Sequence, residues 1–121
     1  MLLGSFYKIV DAQPMADGYR VQIQIADEHP IFDGHFPQGP VVPGVCQLQM
    51  LEEVLTNQTG KNVQLSKAGM VKFLVGIEPV KHRDITMDIH VQQTDAVYSV
   101  NATYYNPQEV FFKFKGDLHA C

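Results

Sequence analysis

One segment limits the folds open to this chain more than any other. From Gly44 to Leu55 it reads GVCQLQMLEEVL, with no glycine or proline after the first residue. Leu48, Leu51 and Leu55 recur at i, i+3 and i+7, so the segment predicts a helix with one apolar face. Pro43 precedes it with a φ already near the helical value. Asn57-Gln58-Thr59-Gly60 supplies the stop, with Gly60 suited to a left-handed cap. Upstream, His29 to Pro43 (HPIFDGHFPQGPVVP) is a loop, because Gly34, Pro37, Gly39, Pro40 and Pro43 oppose regular structure. A stiff loop therefore delivers a histidine beside a helix amino terminus. Unpaired N–H groups and the positive dipole end favour an oxygen that gains negative charge there.

Everything else alternates. Residues 5 to 12 (SFYKIVDA) read as a short strand, and Pro14 to Gly18 as a turn. Tyr19, Val21, Ile23 and Ile25 alternate with Arg20, Gln22 and Gln24, the period of a strand with one buried face. Val63 to Phe73 is a weaker strand in which Gly69 suggests a bulge. Gly76 to Arg83 is a polar loop. Three further strands follow, carried by Ile85–Val91, Tyr98–Tyr104 and Val110–Phe114, with turns at Thr94–Ala96 and Asn106–Glu109. In the last strand Val110, Phe112 and Phe114 face one side, opposed by Phe111, Lys113 and Lys115. The order β-β-α-β-β-β-β lacks βαβ alternation, so an α+β fold is expected: one antiparallel sheet curled around one helix, in a single domain over residues 1–121.

Composition closes off several classes. With 45% hydrophobic residues among 121, the chain can bury a core. A net charge of −4 gives no reason to invoke nucleic acid or an anionic membrane. The start, MLLGSFYKIV, has no basic lead and only a short apolar run, so neither a signal peptide nor a spanning helix is expected. Two cysteines, Cys46 and Cys121, give no disulfide framework, and a reducing cytoplasm is the simplest compartment.

The segment Gly34 to Val45, GHFPQGPVVPGV, closely resembles the signature of the β-hydroxyacyl-acyl-carrier-protein dehydratases, hot-dog-fold enzymes of fatty-acid synthesis. Gly34-His35-Phe36-Pro37, Pro40 and Pro43-Gly44-Val45 match in identity and spacing. Asp27 to Phe32, Lys72-Phe73 and the Pro79 loop match more loosely. The resemblance implies a hot-dog fold, a homodimer with sites across its interface, and an acyl carrier protein or acyl-thioester substrate. No cofactor or metal is implied.

One position departs from that family. Its histidine works with an acid 14 residues later on the helix, followed four residues on by glutamine. Here those positions hold Gln49 and Glu53, so the two residue types are exchanged. Glutamine can hydrogen-bond a hydroxyl but has no proton to give.

The implied reaction removes water from a 3-hydroxyacyl thioester to leave a 2-enoyl thioester. His35 is the expected base, and the Gly44 N–H the donor to the thioester carbonyl. Gln49 orients the hydroxyl or a water. Glu53 is either a second site carboxylate or a solvated one. Phe36, Pro43, Val45 and Leu48 are the expected substrate-binding residues, with Val45, Leu48 and Met50 beside an acyl tunnel. Lys72, Lys81, His82 and Arg83 are candidates to meet an acidic carrier protein, although such a basic loop is more often simply solvated. His82, His90 and His119 read as ordinary surface groups.

Other readings stand beside this one. His35 can serve as a structural loop residue. His29, Asp33 and His35 can be read as a metal cluster, but the spacing fits no standard zinc arrangement. Cys46, in the first helical turn, is either a nucleophile paired with His35 or a small apolar residue. At the level of function, a hot-dog thioesterase and a non-catalytic acyl-binding subunit of a dehydratase complex compete with the dehydratase.

Overall fold

The computed structural model describes residues 1–30 and 41–121. Its elements are β1 (Tyr7–Met15), β2 (Gly18–Ile25), α1 (Gly44–Thr59), β3 (Val63–Phe73), β4 (Asp84–Thr94), β5 (Val97–Tyr105) and β6 (Val110–Ala120). The six strands form one sheet in the order β1-β2-β4-β5-β6-β3, and every neighbouring pair is antiparallel. The chain therefore crosses from β2 to the opposite edge through α1. That is the antiparallel sheet around one helix expected from the alternation.

The helix buries Cys46, Gln47, Met50, Leu51, Val54 and Leu55. These join inward residues of all six strands in one core, including Tyr7, Ile23, Val63, Met87, Tyr104 and Phe112. Burying each such large side chain contributes about 1.5–3 kcal/mol. The helix runs one turn beyond Leu55, to Thr59. Gly60 caps it at φ 74°, its N–H donating to the Thr56 carbonyl at 2.9 Å. Among the described residues no helix is long and apolar enough to cross a membrane.

Several local expectations need correction. Pro14 lies within β1, opposite Tyr19, and not in the turn. It is tolerated because β1 is an edge strand, where a missing N–H costs the ladder nothing. β6 runs past Lys115 through Gly116, whose missing side chain matters. A Cβ there would sit 2.2 Å from the Lys67 carbonyl oxygen. Phe111, expected to face away from the core, is fully buried, while Val110 is partly exposed. The strand shifts register between Tyr104 and Tyr105, and the His82 ring covers Phe111 at 4.7 Å.

His82 is itself a correction. Expected at the surface and able to meet a partner, it is 3% exposed. Residues 78–82 fold back on themselves. The His82 N–H donates to the Glu78 carbonyl at 2.7 Å, and the Glu78 N–H donates to His82 Nδ1 at 3.0 Å. Because Nδ1 accepts, Nε2 carries the proton of the neutral ring. Nε2 lies 3.0 Å from Glu109 Oε2, close enough to attract but outside hydrogen-bond geometry. Lys72, Lys81 and Arg83 remain exposed.

On the outer face, Arg20 grips Asp88 with two hydrogen bonds of 2.8 and 3.0 Å, and the Tyr105 hydroxyl donates to the same carboxylate at 3.0 Å. The Arg20 hydrogen bond holds the Asp88 carboxyl below its ordinary range, despite partial burial. The folded chain thus takes up the Asp88 proton only at lower pH than the unfolded chain does. Between those two values the unfolded state binds more protons, so stability falls as pH falls. Urea midpoints are expected to hold steady above about pH 5 and to decline below about pH 4. In Asp88→Asn the decline should be shallower; an unchanged slope would remove this pair from the acid response.

Candidate functional site

The candidate site is assembled around the first three turns of α1. Pro43 opens the helix without a side-chain cap. Its carbonyl accepts the Cys46 and Gln47 N–H groups at 3.0 and 3.2 Å. The two N–H groups before these, of Gly44 and Val45, take no partner among the described residues. A helix amino end with two open donors is suited to hold a carbonyl oxygen that becomes enolate-like. Gly44 lets a neighbouring ring pack against the helix start. A Cβ there would lie 2.7 Å from the Phe73 ring. Phe73 in turn rests on Phe112 at 5.3 Å, and Phe112 on Tyr104 at 4.6 Å.

This aromatic column ties the helix start to the sheet. The Tyr104 hydroxyl, fully buried, donates to the Gln47 carbonyl at 2.7 Å. The Gln47 amide donates to the Val42 carbonyl at 3.2 Å, and the Val42 N–H donates to the Ile77 carbonyl at 2.8 Å. The loop entering α1 is thus held by the helix and by the segment after β3. Sequence reasoning singles out neither Tyr104 nor Gln47. Tyr104 sits in ordinary strand alternation, and only the tertiary pairing gives its hydroxyl a task.

Gln49 and Glu53 do lie together. Gln49 Nε2 donates to Glu53 Oε2 at 2.9 Å. The same carboxylate also accepts the N–H groups of Leu2 and Leu3, both at 2.8 Å, and the Tyr7 hydroxyl at 3.0 Å. Burial pushes the Glu53 carboxyl up, but the hydrogen bonds from Leu2, Gln49, Leu3 and Tyr7 outweigh it, and its pKa lies below the usual value. Burial, reinforced by Glu53, raises the Tyr7 phenol far above its ordinary value. Glu53 is therefore an anion at neutral pH with no proton to lend. Its neighbour Glu52 accepts the Leu65 N–H at 2.8 Å, beside the first β3 bulge.

The remaining expectations divide. His35 and Phe36 lie outside the described residues, as do Gly34 and the Asp33 of the suggested metal cluster. Val45 is 71% exposed, Leu48 half-buried and Met50 fully buried. Five residues span about 140° around a helix, so Val45 and Met50 point to different sides and line no common wall within one chain. Cys46 is buried, and its thiol is pushed up by burial and by Glu53, which suits an apolar filler and not a nucleophile. Among the described residues no cluster of metal-ligating side chains occurs. A groove of about 740 Å³ does exist, but on the outer face between Lys67, His90, Asn101, Lys115 and Asp117, away from α1.

Comparison with known proteins places this geometry in context. The model of a family described as ApeI-like, ApeI dehydratase, matches residues 11–110. The 3-hydroxyacyl-acyl-carrier-protein dehydratase FabZ of Rickettsia felis is 34% identical over 89 residues, 74% of this chain and 57% of its own length. FabZ of Novosphingobium aromaticivorans is 31% identical over 68 residues, 52% of this chain and 43% of its own. The chain thus spans about half the length of the curated relatives it matches. In structure it is similar to a chain of the dehydratase heterocomplex ApeI:P from Xenorhabdus doucetiae, with a TM-score of 0.75 and 21% identity. That match covers 92% of this chain and 96% of the other, and shows the hot-dog fold.

Proposed function

Because the chain belongs to the ApeI-like dehydratase family, we propose that it binds a 3-hydroxyacyl thioester at the amino end of α1 and eliminates water to leave the 2-enoyl thioester. The observation that carries this reading is the open pair of N–H groups at Gly44 and Val45 with Gln49 on the following turn. The thioester carbonyl accepts from Gly44, which stabilises the enolate formed as the neighbouring carbon loses its proton. His35 is the base. The departing hydroxide needs a proton. Gln49 has none to give, and Glu53 is held as an anion. The imidazolium of His35, formed in the first step, returns its proton to the hydroxyl. Loss of a dedicated acid slows such a step by about 10²- to 10⁴-fold.

Val45 and Phe73 leave apolar surface at the helix start, Leu74, Val75 and Val80 are exposed further along the chain, and β3 is an open sheet edge. A second hot-dog chain along this edge, in the first instance a copy of this one, would cover that surface. Exposed Lys72, Lys81 and Arg83 offer positive charge to an acidic carrier protein. A second reading, a subunit that holds acyl chains without turning them over, is favoured by Gln49 in place of an acid.

Incubation with 3-hydroxybutyryl-coenzyme A separates these readings. Growth of the enoyl-thioester absorbance, abolished by His35→Ala, is the expected result. Release of free thiol instead would indicate a thioesterase, and binding with neither signal the non-catalytic subunit.

A further inference from the structure

Four donors converge on Glu53, as many as the lone-pair sites a carboxylate offers. An ionised carboxylate accepts only, so Gln49 has to turn its nitrogen toward it. The planar amide then carries its oxygen on the other branch of the fork, away from Glu53. Gln49 lies four residues after Val45, so the two stand on one face of α1, on the side of its amino end. Gln49 Oε1 accepts no hydrogen bond among the described residues.

We propose that Glu53 is a positioning residue that fixes the polarity of the Gln49 amide, so that Gln49 offers an acceptor oxygen to the 3-hydroxyl of a bound acyl chain. The site thereby selects hydroxylated over saturated chains. This rests on the thioester reading above and deepens it. An acceptor at this point holds a hydroxyl without protonating it. Selection for the hydroxylated chain and slow expulsion of its hydroxyl thus have one cause. The clamp also explains why Tyr7 and the first residues of the chain fold onto α1: they supply three of the four donors that keep Glu53 ionised and fixed.

The test measures binding of 3-hydroxybutyryl-coenzyme A and butyryl-coenzyme A by calorimetry, in a His35→Ala background that blocks turnover. A single hydrogen bond predicts a preference of about 3- to 10-fold for the hydroxylated ligand. Gln49→Met should abolish the preference. Glu53→Gln keeps the side-chain size and one of the two acceptor oxygens, which Leu2 and Leu3 use separately, and circular dichroism checks that the variant is folded. It offers Gln49 both a donor and an acceptor, and the preference should fall toward unity. A preference that survives Glu53→Gln overturns the proposal. The side-chain amide resonance of Gln49, read by NMR without ligand, should shift between the parent and Glu53→Gln. An unshifted resonance overturns the clamp. Failure of both thioesters to bind removes the thioester reading and the hydroxyl selection with it, while the amide resonance still decides the clamp on its own.

Discussion

The double substitution Gln49→Glu with Glu53→Gln is expected to speed dehydration of a 3-hydroxyacyl thioester by about 10²-fold or more, the usual contribution of a general acid. It reverses the exchange of residue types on the helix and, on the proposed mechanism, places a carboxyl where the hydroxyl would depart. The amide introduced at position 53 would hydrogen-bond the carboxyl introduced at position 49, the mirror of the present 2.9 Å bond from Gln49 to Glu53. The single change Gln49→Glu behaves differently. It sets two carboxylates against each other on one helix face, with the Leu2, Leu3 and Tyr7 donors favouring ionisation of Glu53. The pair then shares a proton, and the carboxyl at position 49 keeps it to higher pH than an isolated glutamate. The single variant should gain activity with a rate that falls as pH rises past that value. Steady-state kinetics between pH 5 and 9 checks both. Dehydration left unchanged by a glutamate at position 49 would mean that this position does not meet the departing hydroxyl.

Phe112→Ala is expected to be the most costly single truncation for stability. Phe112 is fully buried, touches Tyr104 at 4.6 Å and carries Phe73, whose ring covers Gly44. Removing a buried phenylalanine costs about 3–5 kcal/mol. For a domain of this size that corresponds to a fall in Tm of roughly 10–20 °C. The effect should reach the site, because Phe73 loses the ring it leans on at the helix start. Calorimetric unfolding gives the stability loss. A change of less than about 1 kcal/mol would show that the column is not the prop it is described to be.

What can be read from sequence, and what cannot, follows from the range of the interactions involved. The helix, its Gly60 cap and the alternating strands are set by neighbours within a turn or a pleat, and they lie where alternation and punctuation put them. The bulge expected at Gly69 is present, as a register shift between Ala68 and Met70. Local sequence misplaces His82 because its burial depends on Phe111, far along the chain. Pro14 reads as a turn residue because nothing local distinguishes an edge strand from a turn. Glu53 hangs between a site carboxylate and a solvated one, since the donors that decide its role come from Leu2, Leu3 and Tyr7 at the far end of the chain. Cys46 shows the same limit: its place in the first helical turn suggests reactivity, and its burial removes it.

A crystal structure of the chain with a stable 3-hydroxyacyl analogue, its thioester sulfur replaced by nitrogen, tests the central claim most directly. The carbonyl oxygen is expected within about 3 Å of the Gly44 N–H, with the 3-hydroxyl at a similar distance from Gln49 Oε1. An acyl chain lodged elsewhere, for example in the outer groove between Lys67 and Lys115, with the Gly44 N–H turned to water, would contradict it.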